Sequence, residues 1–105
     1  MNTSPFTGSR YISSGIGNEI SVELQTILWD MIDEERRQGE ILDYLQIFKL
    51  RLIYENGVEI QEITHYQEQP RRKKKITIEA ANPITAKIFV IDDVTHVTML
   101  LNHEY

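Results

Sequence analysis

YLQIFKLRLIYENGVEIQEITHYQ, residues 44–67, is two runs of strand-forming residues joined at Asn56-Gly57. Asn and Gly both tolerate positive φ, which a two-residue hairpin turn requires at its two central positions. The run from Tyr44 to Tyr54 is dense in aliphatic, aromatic and β-branched residues. Within it Phe48, Leu50 and Leu52 alternate with Lys49 and Arg51, so one face of this strand is wet. Val58 to Gln67 returns as the partner strand. Its alternation slips, because Val58 and Ile60 share one face while Ile63 falls on the other. A β-bulge near Gln61-Glu62 is the expected repair.

Upstream of the hairpin the period changes. Leu24, Ile27, Leu28, Met31 and Ile32 recur at the i, i+3, i+4, i+7, i+8 spacing of one buried helix face. The spacing predicts a helix over Ser21–Gln38. Ser21 is its expected N-cap, Glu23 suits the positive end, and Arg36 and Arg37 suit the negative end. Gly39 is the expected stop. Before the helix, residues 1–9 read as a flexible tail, Arg10–Ser13 as a short strand and Ser14–Asn18 as a turn.

Downstream, Gln69–Lys75 reads as a polar loop or strand end, and Ile76–Glu79 as a short strand. Ala81-Asn82-Pro83 is a turn signal, Lys87–Ile91 a central strand, and Asp92-Asp93 another turn. Thr95–Leu101 alternates as a last strand, with a short helix as the alternative. The expected fold is therefore α+β: two layers, one long amphipathic helix on a mostly antiparallel sheet of four to five strands, forming one domain over residues 10–105.

Composition narrows the function classes. The chain has 105 residues and no cysteine, which excludes disulfides, thiolate metal sites and a Cys nucleophile. No signal peptide and no apolar run of about 20 residues is visible, so a soluble, cytoplasmic protein is expected, with no membrane partner. Net charge is −5, from 11 basic and 16 acidic residues. Five of the basic residues are consecutive, Arg71, Arg72, Lys73, Lys74 and Lys75. Without them the rest of the chain is strongly acidic and repels polyanions.

Catalytic patterns are missing. There is no nucleophile elbow, and His65, His96 and His103 lie at no metal-binding spacing. His65 is expected on a strand surface. Asp92, Asp93 and His96 offer hard-cation ligand types, but Asp-rich turns form for backbone reasons alone. Gly15-Ile16-Gly17 before a helix lacks both the third glycine of a dinucleotide fingerprint and a Walker lysine. No cofactor and no enzymatic activity is expected.

Two surfaces are candidates for binding. Val22 and Trp29 lie together on the flank of the helix, off its apolar stripe. Either the N-terminal segment, with Tyr11 one candidate in it, covers them, or they anchor a partner protein or a second copy of the chain. The run Arg71–Lys75 is either a solvated segment that blunts a strand edge or a phosphate-contacting site for nucleic acid. Tyr66 is near it in sequence, without an evident platform of several aromatics.

Several segments taken together resemble a known family. They are Arg10-Tyr11-Ile12-Ser13-Ser14-Gly15-Ile16, Leu24-Gln25 with Trp29 and Met31-Ile32-Asp33, Asp43-Tyr44-Leu45-Gln46-Ile47-Phe48, Gln67-Glu68-Gln69-Pro70, and Thr98-Met99-Leu100-Leu101-Asn102-His103-Glu104-Tyr105. The chain is similar in these to small proteins of Gram-positive Firmicutes and their phages, the domain of unknown function 960. The resemblance implies a bacterial or phage origin, a cytoplasmic setting and a chain complete at Glu104-Tyr105. It implies no activity and supplies no catalytic residues, and the dense basic run is not part of the family pattern. The sequence thus leads to a small non-enzymatic binding or adaptor protein acting through Val22 and Trp29, with nucleic-acid binding through Arg71–Lys75 as the alternative.

Overall fold

Asn56 and Gly57 have φ of 53° and 79°, so both turn positions are left-handed as the hairpin demands. They join β2 (Leu45–Glu55) to β3 (Val58–Glu68), with Glu55 opposite Val58. Pairing then runs without interruption to Ile47 opposite Tyr66, so the bulge expected near Gln61-Glu62 does not form. The slip in alternation is absorbed differently. Gln61, Ile63, His65 and Gln67 share the buried face of β3, and three of these four are polar.

The two buried glutamines of this face are held by hydrogen bonds, as burial requires. Gln61 accepts from the Ile84 N–H (2.7 Å) and donates to the Ile84 carbonyl (3.0 Å). Gln67 accepts from Gln46 (2.8 Å) and donates to the carbonyls of Ile41 (2.9 Å) and Pro70 (2.8 Å). His65, expected on the surface, is 3 % exposed. Its ring stacks on Phe48 with centroids 4.3 Å apart.

The computed structural model describes residues 5–105. The first four residues of the expected tail lie outside them. From Phe6, 1 % exposed, the chain belongs to the core, and Ser9 already begins a strand. After β1 (Ser9–Ile12), the segment read as a turn is a short helix, α1 (Ser14–Glu19). Ser13 caps it by accepting from the Ile16 N–H at 3.2 Å, and Ile16 is fully buried. Six residues are too few for a visible 3.6 period. Next, α2 (Val22–Arg37) follows the expected pattern. The Ser21 hydroxyl accepts from the Leu24 N–H at 3.2 Å, Leu24, Leu28 and Ile32 are buried, and Gly39 ends the helix at φ +73°.

The rest of the chain forms β4 (Arg71–Ile78), β5 (Ala86–Asp92), β6 (His96–Leu101) and a 3₁₀ turn over Asn102–Glu104. The strand order is β1-β6-β5-β2-β3-β4. All neighbours are antiparallel except β1, which runs parallel to β6.

This corrects the expected fold of one long amphipathic helix on a mostly antiparallel sheet of four to five strands. The chain is mostly sheet, 47 % strand in one six-stranded mixed sheet, and α2 is the one helix of seven or more residues among those described. Two causes account for the difference. The basic run forms most of edge strand β4, and the N-terminal strand adds a parallel pair. Phe48, Leu50, Ile63, Ile88, Val90, Val97, Met99 and Leu101 form one buried sheet face against Ile16, Ile20, Leu24, Leu28 and Ile32 of the helical segment. Neither helix packs on the other face.

At the β5–β6 turn Val94 has φ +84° and is 76 % exposed. A β-branched residue there is strained. Val94→Asn, which relieves that strain, is expected to raise stability by about 1 kcal/mol, read as a higher thermal midpoint.

Candidate functional site

Strand geometry divides the basic run. Successive side chains on a strand point to opposite faces. Arg72 turns to the helix side, where it pairs with Glu35 (2.7 Å) and Glu40 (2.9 Å) and ties β4 to the end of α2. Lys74, register partner of His65, lies on the same side. It lines a shallow depression with Met31, Glu34 and Arg37. Arg71, Lys73 and Lys75 belong to the uncovered face.

The pairing registers bring further cations onto that face. Lys75 is opposite Thr64, Thr64 opposite Lys49, and Lys49 opposite Lys87. With Arg51 one step along β2, six of the eleven basic side chains share this surface: Lys49, Arg51, Arg71, Lys73, Lys75 and Lys87. Tyr66 and Phe89 lie among them, with the Lys49 ammonium 5.6 Å from the Tyr66 ring centre and that of Lys87 5.9 Å from Phe89.

Besides Glu68, which stands opposite Arg71 at the edge, Glu62 is the carboxylate inside the patch. It pairs with Arg51 through two contacts (3.0 and 3.2 Å) and more loosely with Lys75 (3.9 Å). The Arg51 hydrogen bonds, with the Lys75 charge, hold its carboxyl below the usual range, so it stays ionised and occupies Arg51. Lys49, Arg71, Lys73 and Lys87 have no ion-pair partner among the described residues. Two concavities sit on the patch. One, of about 280 Å³, is lined by Lys49, Thr64, Tyr66 and Lys73. The other, of about 530 Å³, is lined by Lys49, Arg51, Lys75 and Lys87.

The other sequence candidates fare differently. Val22 is 75 % exposed in the first turn of α2. Trp29 is half-buried against the core, and the Arg10 guanidinium lies 4.7 Å from its ring centre while also pairing with Asp33. The N-terminal segment thus covers Trp29 through Arg10, while Tyr11, the candidate cover in that segment, meets His96 edge-on at 5.6 Å. Asp92 accepts from the Phe6 and Val94 N–H groups, and Asp93 accepts from His96 N–H. They act as turn caps, and no group of three metal-ligating side chains occurs among the described residues. At Gly15 the Glu104 carboxylate accepts from the N–H at 3.1 Å and from the Ser13 hydroxyl, so an anion of the chain itself already sits at the start of α1.

Lys49, Lys87 and Phe89 were not singled out from the sequence as site residues. The turn at Asn56-Gly57 fixes Lys49 opposite Thr64 and Ile47 opposite Tyr66, so that half of the patch follows from hairpin arithmetic. The β2–β5 pairing that adds Lys87 and Phe89 is non-local and has no such turn.

The fold defines a sheet with one helix-covered face and one open, cationic face. The family model described as "Staphylococcal protein of unknown function (DUF960)" matches residues 9–104, and the chain belongs to that family. No curated protein matches. A solved structure, the crystal structure of a protein of unknown function from Enterococcus faecalis, is similar at 27 % identity and a TM-score of 0.72, over 93 % of this chain and 91 % of that one. Among the described residues no helix is long and apolar enough to cross a membrane.

Proposed function

We propose that this protein is a non-enzymatic, cytoplasmic nucleic-acid-binding module and that its open sheet face is the binding surface. One observation carries the reading. Alternate positions on four adjacent strands place Lys49, Arg71, Lys73, Lys75 and Lys87 on one uncovered surface beside Tyr66 and Phe89, while the acids of α2 lie on the other side of the sheet. Phosphates carry regularly repeated charge, and lysine ammonium groups meet them as point charges, releasing counterions. The adaptor reading through Val22 and Trp29 is the weaker one, because Arg10 lies over the indole and leaves Val22 as the exposed member.

The test is fluorescence anisotropy of a labelled oligonucleotide titrated with the protein at several salt concentrations. Each phosphate contact contributes about −0.7 to the slope of log affinity against log salt for a single strand. Four contacts give a slope of about −3. The variant Lys49→Gln, Lys73→Gln, Lys87→Gln is expected to bring the slope to about −1 and to lower affinity roughly 30-fold at low salt. Absence of wild-type binding at low salt, or an unchanged slope in the triple variant, overturns the proposal.

A further inference from the structure

The open face is ordered into rows. One row crosses the sheet as Lys73, Tyr66, Ile47, Phe89 and Leu100, each opposite the next in register. The neighbouring row is Lys75, Thr64, Lys49 and Lys87. Rows on one face are two residues apart, about 6.7 Å, and neighbouring strands are about 4.8 Å apart. Tyr66 and Phe89 are therefore about 10 Å apart, with buried Ile47 as the apolar floor between them. Each ring has its own lysine from the adjacent row, Lys49 at Tyr66 and Lys87 at Phe89, at nearly equal distances. The same ring-and-ammonium unit thus occurs twice, side by side.

A unit of that kind suits one nucleotide: Lys49 and Lys87, unlike Arg10 held over Trp29 by Asp33, have no ion pair among the described residues to hold them, so each swings from its ring to a phosphate and leaves the ring face to the base. We infer that the ligand is single-stranded nucleic acid crossing the sheet perpendicular to its strands, with two successive bases on Tyr66 and Phe89, the backbone along the Lys75, Lys49, Lys87 row, and Lys73, at the end of the ring row, on the phosphate that flanks the base at Tyr66. This rests on the nucleic-acid reading above and adds strandedness and direction to it. A duplex hides its base faces in its own stack, so aromatic rings on an open sheet can meet them only in a single strand. Stacking also tolerates any sequence, since every base has a π-face. Tyr105 stands edge-on to Phe89 with ring centres 5.6 Å apart and closes the row at that end.

The experiment compares three labelled ligands of about eight nucleotides: an oligothymidylate, an abasic strand of the same phosphate count, and a duplex. Wild-type protein is expected to bind the oligothymidylate at least about 10-fold tighter than the abasic strand or the duplex. Tyr66→Leu and Phe89→Leu are each expected to lower oligothymidylate affinity by roughly 5- to 100-fold while leaving the salt slope and abasic binding unchanged. Tyr66→Phe keeps the ring and should keep the affinity, which separates lost stacking from lost folding. Equal wild-type affinity for all three ligands, or wild-type affinity in both leucine variants, overturns the single-strand inference and leaves nucleic-acid binding standing. Failure of all three ligands to bind removes both.

Discussion

Urea unfolding at pH values from 7.5 down to 4 is expected to show the protein losing roughly 3 kcal/mol of stability through one buried imidazole. His65 Nε2 lies 2.6 Å from Gln46 Oε1. The Gln46 amide nitrogen already donates to the Asp43 carbonyl and to Gln67, so Oε1 is its acceptor and His65 Nε2 carries the proton. Nδ1 is then a bare, buried nitrogen without a partner. Protonating it would place a charge in the core. Burial chiefly, then the charges of Lys74 and Arg72, push the His65 pKa down from 6.5 to about 4. The unfolded chain takes up this proton near pH 6.5 and the folded one only near pH 4. Stability is therefore complete above pH 6.5, falls as pH drops through that interval, and levels off below the folded value. The span of about 2.5 pH units sets the magnitude, at 1.36 kcal/mol per unit. Between pH 6.5 and 5 most carboxylates remain ionised, so that window isolates the imidazole. His65→Leu should flatten the profile there. A wild-type profile that is already flat between pH 7 and 5 would falsify the neutral, buried histidine.

Gln61→Leu is expected to destabilise by roughly 2–4 kcal/mol, although alternation along β3 invites an apolar residue there. Gln61 is fully buried and its amide closes a two-point hydrogen bond with the backbone N–H and C=O of Ile84. It donates as well to the Arg51 carbonyl at 3.3 Å. Leucine fits the volume but takes the partner from the part-buried N–H and C=O of Ile84, each at about 1–3 kcal/mol. This contact also pins the segment between β4 and β5 to the sheet. Denaturant unfolding of the variant decides the matter. A neutral or stabilising result would mean that water reaches Ile84 once the amide is gone.

The sequence was informative where local chemistry dominates. Asn56-Gly57 placed the hairpin and hence its register, and Ser21 and Gly39 bounded α2. It was opaque where a side chain's type does not reveal its side of the sheet. In β4 only Ile76 and Ile78 are apolar members of the core face, and the rest of that face is Arg72 and Lys74. Five cations in a row have no hydrophobic period, although the strand separates them as cleanly as it would separate leucine from lysine. Gln46, Gln61, His65 and Gln67 are likewise indistinguishable by type from surface residues, and only the tertiary partners that satisfy them explain their burial. The site was half legible for the same reason. The hairpin supplies Lys49 and Tyr66, whereas Lys87 and Phe89 arrive through a pairing between distant strands.

The opposite placement of charge on the two sides of the sheet has a kinetic consequence. Glu23, Asp30, Asp33, Glu34 and Glu35 lie on α2, and the unpaired lysines lie across the sheet from them. Arg10, Arg36, Arg37 and Arg72 pair with Asp33, Glu34 and Glu35, so on a molecule of net charge −5 the lysine side stands out as a local region of positive potential. In the field of an approaching polyanion it rotates before contact and presents its lysine side. Association is therefore faster than its overall charge suggests, and it slows as added salt shortens the screening length, about 10 Å at 0.1 M, below the thickness of the molecule.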